Sequence, residues 1–186
     1  MQTTPMLKIG LVCFAWGKEH RGGLETHVSG IAHQLSARGH RLFLHCVNTA
    51  AGSTPFSTRS WQEGPIHVQE MACNHAATGD LLDFQRVPQA ETILESWVRH
   101  HQLDVVDVHH TLFFGMRALK TLSAQVPTIA TLHDYWCLDP RGQLLSPEGQ
   151  ILQPGDEAAW EASVRFTWPM HTAKSCLLYT SPSPRD

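Results

Sequence analysis

Leu7-Lys8-Ile9-Gly10-Leu11-Val12-Cys13-Phe14 leads into a glycine-rich stretch from Gly17 to Gly23, after which Leu24, Val28, Ile31 and Leu35 recur. The opening run is almost unbroken in its apolar character, the pattern of a strand buried on both faces. The residues after the glycines are spaced four, three and four apart, which puts them on one face of a helix. Gly39 then stands where a helix-terminating glycine belongs. Strand, glycine turn and helix together open a β-α-β unit.

The rest of the chain repeats that unit. Arg41–Val47 reads as a second strand and Pro65–Met71 as a weaker third. Ile93, Leu94, Trp97 and Val98 mark a helix ending near His101, Asp104–His110 a fourth strand, Phe113–Leu122 a helix and Pro127–His133 a fifth strand. This alternation predicts an α/β fold, a Rossmann-like parallel sheet with helices on both faces. Further on, Gln143-Leu144-Leu145 and Gln150-Ile151-Leu152 flank Ser146-Pro147-Glu148-Gly149 and predict a hairpin; Asp156–Lys174 predicts a helix up to Trp168-Pro169.

Composition agrees with a folded domain. Of 186 residues, 42% are apolar and 17% charged, and 13 more are glycine, which excludes a solvated disordered chain. Lys+Arg 14 against Asp+Glu 17 gives a net charge of −3, too balanced for a nucleic-acid footprint, so no nucleic-acid partner is expected. No apolar run approaches the ~20 residues of a membrane span, and Met1–Leu7 lacks the pattern of a secretion signal, so a cytoplasmic location is expected. The five cysteines form no C-x-x-C pair, and Cys13 and Cys46 sit inside strand-like runs, favouring buried reduced thiols over disulfides or zinc. The 13 histidines are scattered without H-E-x-x-H or a paired Cys/His pattern, so no metal is expected. Cys176–Asp186 follows no periodicity and resembles a translated sequencing adapter. The expected organisation is therefore one Rossmann-like domain over 1–175, cut short, and an adapter-derived tail over 176–186.

In such sheets ligands sit at the carboxyl ends of the strands, where the strand order reverses. Three segments fall at such ends. In the first, Gly22 and Gly23 would let the backbone approach a phosphate or sugar oxygen at a helix start, or they form a turn with no ligand. It is neither a Walker loop nor a dinucleotide fingerprint, because G-K-[ST] and G-x-G-x-x-G are both missing. The second is Asp107-Val108-His109-His110, where a histidine can donate to a bound hydroxyl or phosphate, or can bond a neighbouring carbonyl. The third is Thr131-Leu132-His133-Asp134-Tyr135-Trp136. There Asp134 could fix the His133 tautomer and the aromatic rings could stack on a sugar, or the histidine simply satisfies itself at a strand end.

Taken in series, Lys8-Ile9, Gly22-Gly23-x-Glu25-x-His27-Val28, Leu35-x-x-Arg38-Gly39-His40, Asp104 to His109, and Thr131 to Tyr135 resemble the N-terminal domain of family 4 glycosyltransferases. The resemblance spans about Leu7 to Gly149. It implies the acceptor-side half of a two-domain GT-B enzyme that transfers sugar from a nucleotide-sugar with retention and without a cofactor or bound metal. By the same resemblance, Gly22 and Gly23 line the donor phosphate and sugar, and His133 is the catalytic histidine beside the sugar in transit. His109, His110, Asp134 and Tyr135 would contribute to substrate binding in the same cleft. Pro140-Arg141-Gly142-Gln143-Leu144 is similar to a branch acting on bacterial polysaccharides or lipid carriers, which implies peripheral membrane association. Where that branch often carries cysteine, this chain has Asp139. Lacking the domain that would hold the nucleotide, the stretch by itself is expected to be inactive. The rival readings are a non-catalytic Rossmann-like nucleotide- or sugar-binding module and a histidine-rich metal-binding domain.

Overall fold

The computed structural model describes residues 5–17, 22–50, 52–73, 86–135, 145–146, 149–153 and 158. The chain divides into two compact units, Met1–His133 and Asp134–Asp186.

The first unit is built on six strands, β1 (Lys8–Val12), β2 (Arg41–Asn48), β3 (Thr58–Glu63), β4 (Ile66–Ala72), β5 (Val105–Val108) and β6 (Thr128–Ala130), with helices α1 (Gly23–Ala37), α2 (Pro88–His101) and α3 (Arg117–Ser123). The sheet order is β3-β4-β2-β1-β5-β6. All pairings are parallel except β3 with β4. From β1 the chain builds outward on one side through β2 and β4, then returns to place β5 and β6 on the other. The order therefore reverses between β1 and β5, and the carboxyl ends of those strands form the crevice where such folds bind ligands.

Alternation along the strands assigns the two faces. Ile9, Leu11 and Cys13 of β1 and its exit, with Leu42, Leu44 and Cys46 of β2 and Ile66 and Val68 of β4, pack with Val28 and Ala32 of α1. The intervening residues look the other way. Gly10 lies so close to α2 that a Cβ there would come within 2.8 Å of the Trp97 ring and 2.7 Å of Leu103 Cδ1. His45 meets Trp97 and Phe114 edge-on, each ring centroid 5.4 Å away. Helices thus cover both faces, as the apolar runs predict.

α1 ends as its glycine foretells. Gly39 takes φ +90°, its N–H donates to Ser36 O at 2.9 Å, and His40 N–H donates to Leu35 O at 3.2 Å. That pair of bonds is a Schellman cap. α2 starts on Pro88, whose missing N–H costs nothing in a first turn, and ends at His101.

Three sequence expectations need correction. β3 is absent from the sequence reading because Thr58-Arg59-Ser60-Trp61-Gln62-Glu63 shows no apolar alternation. It is an edge strand, mostly exposed, joined to β4 through Gly64-Pro65 with Gly64 at φ +54°. The helix expected from Phe113 begins instead at Arg117, because residues 112–114 form a turn in which Phe113 adopts φ +67° and its buried ring stacks on Phe14 at 5.8 Å. The strands expected to reach His110 and His133 stop at Val108 and Ala130, leaving both histidines on the loops that follow.

Cys13 and Cys46 are buried thiols outside any disulfide, as expected. Burial raises the Cys13 and Cys46 thiol pKa values above the ordinary value, so both stay protonated.

In the second unit, the expected hairpin is seen at its closed end. Leu145 bridges Ile151, and Ser146 N–H donates to Gln150 O at 2.7 Å around Gly149, whose φ is +84°. Lys18 to Arg21, the helix expected over Asp156–Lys174 (apart from residue 158) and the tail over 176–186 lie outside the described residues.

A histidine cluster at the sheet crevice

Three histidines meet at the carboxyl end of the crevice. β1 delivers the chain to α1, whose second turn carries His27. The backbone of His109, just beyond β5, is fixed by its N–H to Val12 O at 2.8 Å. Thr131, after β6, donates its N–H to Val108 O at 2.9 Å, which brings His133 alongside.

His109 Nδ1 and His133 Nε2 are 3.1 Å apart and share one hydrogen bond. The His27 ring lies 4.9 Å from that of His133 and 5.6 Å from that of His109, edge-on to both. The His109 side chain is wholly buried, whereas His27 and His133 are exposed. The cluster is therefore a solvent-facing pair resting on a buried ring.

A carboxylate stands beside that ring. Asp107 Oδ2 lies 3.4 Å from His109 Nε2, and Asp107 Oδ1 accepts a 2.8 Å bond from the Thr131 hydroxyl. Thr131 thus aims the carboxylate, and the carboxylate faces the ring. Burial pushes the His109 pKa down to about 4, reinforced by His133 and His27, while Asp107 pulls the other way. His109 is consequently neutral near pH 7, with one ring nitrogen carrying a proton and the other a lone pair.

Gly22 caps α1, its carbonyl accepting both the Thr26 N–H at 3.1 Å and the Thr26 hydroxyl at 2.9 Å. Its φ is −78°, so no left-handed backbone demands glycine here. Instead, a Cβ on Gly22 would meet the Glu25 carboxylate. Around Gly23 the space is open, with nothing within 4 Å of where a Cβ would sit. The N–H groups of the first helical turn have no partners within the helix, one turn before His27.

His110, next to His109, has a different setting. Its Nδ1 accepts the Leu112 N–H at 2.9 Å, and its ring is tilted against Phe14 at 6.4 Å. It shapes the turn after β5. Asp134 and Tyr135 belong to the second unit, where Tyr135 is exposed. Of the residues singled out in the sequence, His109 and His133 are brought into contact, and α1 joins them through His27, one turn after Gly23. Two participants were not given roles from sequence. His27 appeared only as part of a motif, and its helical position four residues after Gly23 was the available signal. Asp107 was legible only as a strand residue, since its pairing with His109 spans one face of the strand end.

No helix among the described residues is long and apolar enough to cross a membrane. No curated protein matches by sequence. Among solved structures, sucrose-phosphate synthase from Thermosynechococcus elongatus aligns at 13% identity and TM-score 0.47, covering 74% of this chain and 37% of that one. A structure described as trehalose-6-phosphate from E. coli bound with UDP-2-fluoro glucose aligns at 11% identity and TM-score 0.42, covering 68% and 33%. A segment of the same sucrose-phosphate synthase aligns at 12% identity and TM-score 0.43, covering 89% of this chain and 97% of the segment. The chain thus spans about a third of the length of the first two. The model of Glycosyltransferase Family 4 matches residues 21–183. That span takes in α1, both sides of the sheet beyond β1 and all three histidines of the cluster, and the chain belongs to Glycosyltransferase Family 4.

Proposed function

We propose that this chain is the acceptor-side half of a GT-B glycosyltransferase that moves a sugar from a nucleotide-sugar to a polysaccharide, lipid-linked or small-molecule acceptor, with retention. One observation carries the reading: the exposed ring of His133, next to buried His109, stands against His27 of α1 at the sheet's reversal point, one helical turn from the open Gly23.

The chemistry suits that arrangement. As the glycosidic bond to the leaving diphosphate breaks, the sugar becomes cation-like and negative charge grows on the phosphate. A helix N-terminus offers unpaired N–H groups and a positive dipole end to that charge. The Gly23 backbone is the approach point, and His133 donates a hydrogen bond to the sugar in transit. His109 and Asp107 are positioning residues that hold the His133 ring, and His110 fixes the adjoining turn. Asp134 and Tyr135, following His133 directly, are assigned to the acceptor. The nucleotide-sugar is a substrate and the transfer uses no resident cofactor. With a lipid-linked acceptor the enzyme works in the cytoplasm at the inner face of the membrane, peripherally attached. The chain without a nucleotide-binding partner domain is inactive.

The test is sugar transfer from a panel of nucleotide-sugars by an enzyme joining this chain to such a domain. His133→Ala is expected to lower kcat by about 10²–10³, the scale of one lost preorganised donor. Because His133 is exposed, its melting temperature should stay put. Gly23→Val should raise the donor KM by filling the open space. Unchanged kcat in a folded His133→Ala would remove the catalytic assignment.

A further inference from the structure

His27, His109 and His133 each offer a ring nitrogen, and the three nitrogens lie within 4.8 Å of one another. Tetrahedral zinc with Zn–N bonds of about 2.0–2.1 Å places its nitrogens roughly 3.3 Å apart. His109 Nδ1 and His133 Nε2, at 3.1 Å, already have that spacing. The third nitrogen belongs to His27, an exposed side chain on α1 whose rotamer is free to adjust.

We propose that His27, His109 and His133 form a binding site for a divalent transition-metal ion of the Zn²⁺ or Co²⁺ type, with a fourth position open to solvent. The argument does not rest on proximity alone. A histidine that ligates a metal through one nitrogen commonly donates its other N–H to a carboxylate, which fixes the tautomer and strengthens the ligand. His109 has the carboxylate at hand: Nδ1 faces the cluster, and Asp107 Oδ2 lies 3.4 Å from Nε2, which makes no hydrogen bond in this structure and can take up that partner as the ring turns onto an ion. Asp107 is itself held by the Thr131 hydroxyl at 2.8 Å. Proton accounting is simple. With His109 protonated on Nε2, the proton shared with His133 lies on His133 Nε2. Metal binding moves it to His133 Nδ1, leaving three neutral rings and three lone pairs on the ion.

Ligand chemistry selects the ion. Three imidazoles suit zinc, cobalt, nickel or copper, while Mg²⁺ and Ca²⁺ demand oxygen shells that this cluster does not supply. Exposure of His27 and His133 gives an ion a direct route in. The ligands stand at positions 27, 109 and 133 on three separate elements, which is why spacing rules applied to the sequence expected no metal. The site shares His133 and His109 with the proposed transfer machinery but assigns no ion to the transfer step, so zinc retention and kcat are read separately and either reading can fail while the other stands.

The experiment titrates the full chain with Zn²⁺ against a chromophoric chelator, and with Co²⁺ monitored by its visible absorption. One tightly held equivalent is expected. His27→Ala and His133→Ala, both at exposed positions, should each lose it, with circular dichroism and melting confirming the fold. Asp107→Asn should weaken it by about 10–100-fold, the range for a lost second-layer partner. His33→Ala, at an exposed position further along α1, should bind like wild type. Equal zinc affinity in wild type and folded His27→Ala, or no zinc retained against the chelator, overturns the proposal.

Discussion

Acidification should unfold this domain partly through one histidine, His45, at the middle of β2. It is fully buried, boxed edge-on by Trp97 and Phe114, and among the described residues neither ring nitrogen has a hydrogen-bond partner. Burial pushes its pKa down to about 3, with the neighbouring His101 adding to the effect and the Cys46 backbone opposing it. The folded value lies below the unfolded one, so the unfolded chain takes up the proton first. Stability is therefore flat above an unfolded pKa of about 6.5, falls by about 1.4 kcal/mol per pH unit below it, and levels off near the folded value. Between pH 7 and pH 5 the ring accounts for a loss of about 2 kcal/mol on that slope. His45→Leu deletes the ionisable group and keeps an apolar side chain of similar bulk. Urea unfolding of wild type and variant at both pH values isolates the difference, because the other histidines are common to both. With a slope of about 2 kcal/mol/M, the wild-type midpoint should drop by about 1 M more than the variant's. At pH 7 the variant should match or exceed wild type, since a buried unpaired polar group costs about 1–3 kcal/mol. Parallel pH dependence in the two proteins would refute the argument.

Two further outcomes concern glycines. Gly10→Val should destabilise by at least about 1–3 kcal/mol, because the added carbons collide with Trp97 and Leu103, and thermal melting reads the loss directly. Gly39→Ala has open space around it but φ +90°, so strain alone should cost about 1–2 kcal/mol, visible as a lowered urea midpoint with an unchanged slope.

Much of this fold is written in the spacing of apolar residues. β1, β2 and α1 are legible because both sheet faces are covered, which demands apolar residues at nearly every strand position. β3 escaped for the opposite reason: an exposed edge strand is better served by Arg59 lying over Trp61 and paired with Glu70 than by apolar alternation. The turn at Phe113 escaped because a left-handed phenylalanine has no local signature; it is held by stacking on Phe14 across the fold. At the site, strand ends pointed to His109 and His133. A carboxylate the sequence reading gave no role is Asp107, which faces His109 from two residues earlier on the strand end. Sequence proximity is a poor guide where side chains alternate faces, since i and i+2 share a side and i and i+1 do not.

The reversal of strand order also has a consequence for the time at which the site comes into being. β1 hydrogen-bonds to β2 on one flank, but its other flank waits for a segment 96 residues further on, where Asp104 accepts from the Lys8 backbone. During synthesis, β1, α1, β2, β3 and β4 can associate as soon as the first stretch of chain has emerged, because their pairings are comparatively local. His27 is in place from that stage. His109 and His133 arrive only with β5 and β6, after the longest loop has been closed against its entropy. The cluster is therefore the last feature of the sheet to assemble, and its appearance marks a nascent chain that has finished folding this unit.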